Sequence, residues 1–144
     1  MGSLNATVQI PAAPEDVWAK FSDPRSFEQW LTIHTKWKDE PPATFTQGAT
    51  AAEVVTMLGM PNTITWTVEE VDAPSRLRIS GTGMAGVRTT FALGVSGDGN
   101  GGSTATIDAE FSGQMITGAL GAAVERDAKK QLDDSLAKLS ALVG

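Results

Sequence analysis

The chain contains one histidine, His34, set between Trp30 and Trp37 in the segment WLTIHTKW. An imidazole there has three roles open to it: acid–base catalysis near neutral pH, a polar contact to a ligand, or fastening a loop. The carboxylates closest in sequence, Asp39 and Glu40, stand beside Pro41 and Pro42 in a loop, so spacing alone names no orienting partner. Packing against Trp30 and Trp37, with one ring nitrogen bonded to a backbone carbonyl, is the plainest expectation. Glu53 is the second acid–base candidate. Val54, Thr56 and Leu58 share the parity opposite to it, so Glu53 faces solvent in one register and inward in the other. Asp108 and Glu110 share a strand face, but Ile107 and Phe111 claim the core side. Paired-carboxylate chemistry would require a convergence that the pattern does not supply.

Other motifs weigh less. GTGMAG, residues 81–86, has the spacing of a nucleotide-binding glycine loop. That loop must join a strand to a helix, and here a second strand-like run, VRTTFALGV, follows, so a hairpin turn is expected. Arg78 and Arg88 could each hold an anionic headgroup. Their parity, opposite to Leu77, Ile79 and Val87, turns both outward.

Composition narrows the function classes. The 144 residues are 41% hydrophobic and 19% charged, with a formal charge of −6, which fits a single domain over 1–144 with a real core. No dense basic cluster exists to neutralise phosphates, so nucleic acid is not an expected partner. The absence of cysteine removes disulfides, thiolate nucleophiles and thiolate metal sites, and one histidine precludes a multi-histidine site within the chain. Neither a metal nor a cofactor is expected. No apolar run approaches the ~20 residues needed to span a bilayer, and no basic-then-apolar leader is visible at Met1. The expected location is the cytoplasm, without membrane insertion.

The positioning elements can be read from periodicity. Asn5 to Ile10 alternates as a strand that Pro11 ends. Pro14, Glu15 and Asp16 open a helix carrying Val17, Trp18 and Phe21. Asp23-Pro24 caps a second short helix carrying Phe27, Trp30 and Leu31. A second strand follows the WLTIHTKW junction. Five further strands are then predicted at 51–58, 63–71, 76–81, 87–96 and 103–111, divided by GMPN, DAPS, GMAG and GDGNGG turns. Ile64, Trp66 and Val68 share one face, as do Leu77 and Ile79, and then Phe91, Leu93 and Val95. This one-sided sheet needs a cover. Residues 115–142 provide it: Ile116, Leu120, Val124, Ala128, Leu132 and Leu136 recur every four positions, and Leu139 and Val143 extend the stripe.

That order, with P-x-x-V-W-x-x-F-S-D at Pro14–Asp23, resembles the SRPBCC or START-like superfamily, polyketide cyclase/dehydrase-like. Three further segments are similar to a small bacterial subfamily that includes the toxin of a type II toxin–antitoxin pair: WLTIH at 30–34, GMPN-x-I-x-W-T at 59–67 and G-x-G-x-x-G-V at 81–87. The resemblance implies an α+β helix-grip, Bet v 1-like fold. In it a seven-stranded antiparallel sheet wraps around a long C-terminal helix, with two short helices after strand 1. It also implies an apolar cavity between sheet and helix. The expected lining is Trp18, Trp30, His34, Met57, Met60, Trp66, Met84, Phe91, Met115, Leu120 and Val124, with methionine adapting to varied apolar ligands. The expected function is binding of a small hydrophobic or amphipathic molecule, lipid or polyketide-like. The alternatives are a cyclase/aromatase-like enzyme using His34 or Glu53, and a toxin. An antitoxin protein and a second copy of the chain are the candidate protein partners. Gly118 and Gly121 locally weaken the long helix and mark either close packing or a gate.

Overall fold

The computed structural model describes residues 2–83, 86–113 and 118–144. Among these, seven strands form one antiparallel sheet: β1 (Gly2–Ile10), β2 (His34–Trp37), β3 (Thr50–Met57), β4 (Met60–Asp72), β5 (Arg76–Thr82), β6 (Arg88–Gly97) and β7 (Ser103–Ser112). Their order across the sheet is β1-β7-β6-β5-β4-β3-β2. Five neighbours in sequence pair as hairpins, and β1 closes onto β7. Two short helices, α1 (Pro14–Phe21) and α2 (Phe27–Trp30), follow β1, and α3 (Gly118–Val143) runs back over the sheet. This is the helix-grip arrangement expected from the sequence.

The caps follow local chemistry. Pro14 opens α1, with Glu15 and Asp16 in the first turn, where the helix dipole favours negative charge. The Asp23 carboxylate accepts the Arg25 N–H at 3.0 Å and caps the 3₁₀ turn Pro24–Ser26 that leads into α2.

The concave face of the sheet carries Ile64, Trp66, Val68, Leu77, Ile79, Phe91, Leu93, Val95, Ile107 and Phe111, all buried. Ala128, Leu132, Leu136 and Leu139 of α3 pack into the same core. The stripe predicted for α3 is therefore buried in its C-terminal half. Leu120 is exposed and Val124 half-buried, while Ile116 lies outside the described residues.

Two irregularities matter for the site. Between Val68 and Glu70 the β4–β5 register shifts, a bulge at Glu69, which shares the convex face with Thr63, Thr65 and Thr67. There its carboxylate lies 3.7 Å from Arg78 and 3.9 Å from Arg88, and Arg88 also donates to the Ser80 hydroxyl at 3.0 Å. Both arginines thus face away from the core, as parity predicted. Between His34 and Lys36 the β2–β3 register shifts as well.

The 81–86 glycines have packing explanations. A Cβ on Gly81 would lie 2.4 Å from the Thr65 carbonyl oxygen, and one on Gly83 would lie 2.7 Å from the Asn62 amide. Gly86 adopts φ +75°. Gly81 lies in β5, and Gly83 and Gly86 between β5 and the antiparallel β6, the hairpin setting that the sequence suggested rather than a strand-to-helix phosphate loop.

Candidate functional site

The WLTIH segment works as a fastening. Trp30 is fully buried against Phe21 and Phe27, with ring centroids 5.6 and 5.3 Å away. Its indole N–H donates to the Ser26 hydroxyl at 3.1 Å. The Thr32 N–H donates to the Ser135 hydroxyl at 2.9 Å, and the Thr32 hydroxyl donates to the Gln131 carbonyl at 2.9 Å. These bonds tie the α2–β2 junction to the middle of α3. Ile33 then points into the space between α3 and the sheet.

His34 is next. Its side chain is 4% exposed, and its Nδ1 is hydrogen-bonded to Oε2 of Glu53, itself 1% exposed. The other carboxylate oxygen, Oε1, accepts the Trp66 indole N–H at 2.8 Å. The histidine ring stands 5.3 Å from Trp37 and 6.4 Å from Phe27, centroid to centroid. The expectation of a backbone carbonyl partner is thus replaced by a buried carboxylate, and the inward register is the one Glu53 takes. Desolvating a carboxylate is costly unless it is hydrogen-bonded. Here both oxygens are bonded, so the group is satisfied in place. Chemically, the pair fixes the ring orientation of His34 and joins strands β2, β3 and β4.

His34 borders a polar surface pocket with Arg25, Glu28, Lys36 and Trp37; the apolar open space lies elsewhere. A cleft of about 180 Å³ opens between the β3–β4 hairpin, β6, β7 and the first turns of α3. It is lined by Ile33, Val55, Met57, Leu58, Met60, Asn62, Ile64, Val87, Thr89, Phe91, Phe111, Leu120 and Val124. The hairpin at its rim has a two-residue turn, Leu58-Gly59, with φ +52° and +74°. The Leu58 N–H donates to the Asp127 carboxylate of α3 at 3.1 Å, holding rim and helix together. Leu58, Met60 and Leu120 are 40%, 55% and 39% exposed. Three large apolar side chains thus stand partly in water around one opening.

Of the residues expected to line a cavity, Met57, Met60, Phe91, Leu120 and Val124 meet at this cleft. Trp30 and Trp66 are sealed in the core, Trp18 is half-buried on α1, and His34 borders a separate surface pocket instead. Neither His34 nor Glu53 lines the cleft, although their neighbours Ile33 and Val55 do. Met84 and Met115 lie outside the described residues. Ile33, Val55, Leu58, Asn62, Ile64, Val87, Thr89 and Phe111 line the cleft in addition to the expected residues. For Ile64, Val87 and Phe111, the inward parity was an available signal.

Among the described residues, no cluster of three or more His, Asp or Glu side chains is placed to hold a metal ion. No described helix is long and apolar enough to cross a membrane.

Known proteins share this architecture. A crystal structure from Thermus thermophilus superposes with a TM-score of 0.81 over 99% of this chain and 97% of that one, at 16% identity. That likeness concerns the fold. In sequence, an uncharacterized Mycobacterium tuberculosis protein is 31% identical over 144 residues, the whole of both chains. A second protein of that organism, named as a toxin, is 29% identical over 136 residues, 94% of each. The family described as polyketide cyclase / dehydrase and lipid transport matches residues 1–144. With the seven-stranded sheet, the long covering helix and the cleft between them, the chain belongs to the polyketide cyclase/dehydrase and lipid transport family.

Proposed function

We propose that this protein binds a small hydrophobic or amphipathic molecule in the cleft between the sheet and the N-terminal half of α3. The observation that carries the reading is the rim: Leu58, Met60 and Leu120 stand exposed around an opening whose walls are almost wholly apolar. Their burial by a ligand would supply most of the affinity, at ~25 cal/mol per Å². Met57 and Met60 can adapt to the shape of the guest. The family description, with its reference to lipid transport, supports the same class of ligand. The purified protein should be incubated with a broad lipid and polyketide extract and examined by native mass spectrometry. A discrete bound species, less abundant when Leu120 is replaced by serine, is the expected result. Recovery of the empty protein from every extract would refute the reading.

The relative named as a toxin favours a second reading, in which this chain also engages a protein partner of the antitoxin kind. Growth arrest on expression, relieved by co-expression of a small neighbouring gene product, is its expected signature. Harmless expression at high level would count against it.

A further inference from the structure

Among the described residues, the cleft's lining is apolar except at Asn62 and Thr89, and none of those side chains is ionisable. Asn62 already makes an interaction of its own. Thr89 differs. It is 3% exposed on β6, opposite Gly81 on one side and Phe111 on the other, and among the described residues its hydroxyl has no hydrogen-bond partner. The open space that Thr89 borders is the cleft. A hydroxyl in such a setting gains by pairing with a guest.

Resting on the binding role proposed above, we propose that the cleft selects a compact, uncharged molecule carrying a hydroxyl or carbonyl group that hydrogen-bonds to Thr89. The apolar walls exclude a carboxylate or phosphate from the interior, because a buried anion with no cation or set of donors to meet it is strongly disfavoured. The cleft's size points to a small guest. At about 180 Å³ it is close to an apolar cavity of ~150 Å³ that holds benzene and smaller than the ~300–1,000 Å³ of drug-sized pockets.

The test uses 2-naphthol, naphthalene and 2-naphthoate, titrated by calorimetry at pH 7 into the wild-type protein, Thr89→Val and Thr89→Ser. Valine keeps the volume and removes the hydroxyl, and serine restores it. Expected for the wild type is roughly five- to tenfold tighter binding of naphthol than naphthalene, the worth of one net hydrogen bond. Naphthoate should be weaker than naphthol by roughly a hundredfold or more. Thr89→Val should keep naphthalene binding and erase the naphthol preference, while Thr89→Ser should retain that preference. If naphthalene binds but the preference survives Thr89→Val, or if naphthoate binds tightest, this proposal fails and the apolar-cleft reading stands. If none of the three binds the wild type, both fail together.

Discussion

The two ends of the space beneath α3 are built from different materials. At the α2–β2 end, Phe21, Phe27, Trp30, Trp37 and Phe45 interlock as tilted and edge-on pairs, and a histidine, a glutamate and a tryptophan close a buried polar knot. At the β3–β4 hairpin end, Leu58, Met60 and Leu120 stand in solvent around a cleft. One helix serves both. From Ala128 to Leu139 its stripe is buried, whereas from Gly118 to Val124 it is exposed or half-buried, apart from Gly121. Rigid, shape-matched aromatics specify a fold. Flexible aliphatic side chains at a rim leave room for a guest. The contrast separates the part of the molecule that stabilises the fold from the part proposed to bind.

Mutations should divide along the same line. Trp30→Ala removes the centre of the aromatic cluster and should cost about 4 kcal/mol in a denaturant melt. A loss below ~1 kcal/mol would mean that the cluster collapses to fill the gap and is no rigid anchor. Glu53→Ala leaves the His34 ring and the Trp66 N–H buried without their acceptor and should cost about 3 kcal/mol. A near-neutral result, with activity lost in some assay, would instead move the pair from structure to chemistry.

At the other end, Leu120→Ser should change stability by no more than ~0.5 kcal/mol. It should weaken capture of an apolar probe roughly fivefold, because about a kcal/mol of apolar contact is lost. Equal damage to fold and binding would erase the distinction between the two ends.

The smallest effect belongs to the exposed face of α3, where Lys130 meets Asp134 at 3.0 Å. Hydrogen bonding to Asp134, then its charge, raises the Lys130 pKa above the ordinary lysine value. A raised basic pKa stabilises the fold at all pH values below the unfolded lysine range, and that contribution disappears as the pH climbs through the folded value. Between pH 6 and 9 the melting midpoints of wild type and Asp134→Asn should therefore run parallel. Any small gap should close only in strong alkali, as befits a screened surface pair.

Much of the fold was legible in the sequence, but the division was not, since Trp30, His34 and Trp66 were expected to line the cavity and do not. Alternation placed Ile64, Trp66, Val68, Leu77, Ile79 and Phe91 on the dry face, and a four-residue repeat gave the covering helix. It stopped being informative at β3, where Glu53, Val54 and Val55 are buried in succession, so parity could not say which way the glutamate points. The His34–Glu53 bond depends on the β2–β3 pairing that sets His34 opposite Val55, and the Thr32–Ser135 bond spans 103 residues. Neither pairing leaves a local trace. The stripe on α3 likewise gave the helix but not where its burial stops, because that depends on how far the sheet extends beneath it. Thr89 passed unnoticed for the opposite reason: a threonine in a strand is ordinary, and only the empty space beside it makes it conspicuous.

The Leu58-Gly59 turn carries a consequence for how this protein can be improved. Both residues lie in the left-handed region, where asparagine or glycine sits comfortably and leucine carries a strain of roughly 1–2 kcal/mol. Laboratory evolution for heat resistance alone would discard Leu58 early. Evolution for tighter capture would keep it, since its side chain lines the cleft. The same codon would thus be pulled in opposite directions by the two selections, and the residue that emerges would reveal which one had been applied.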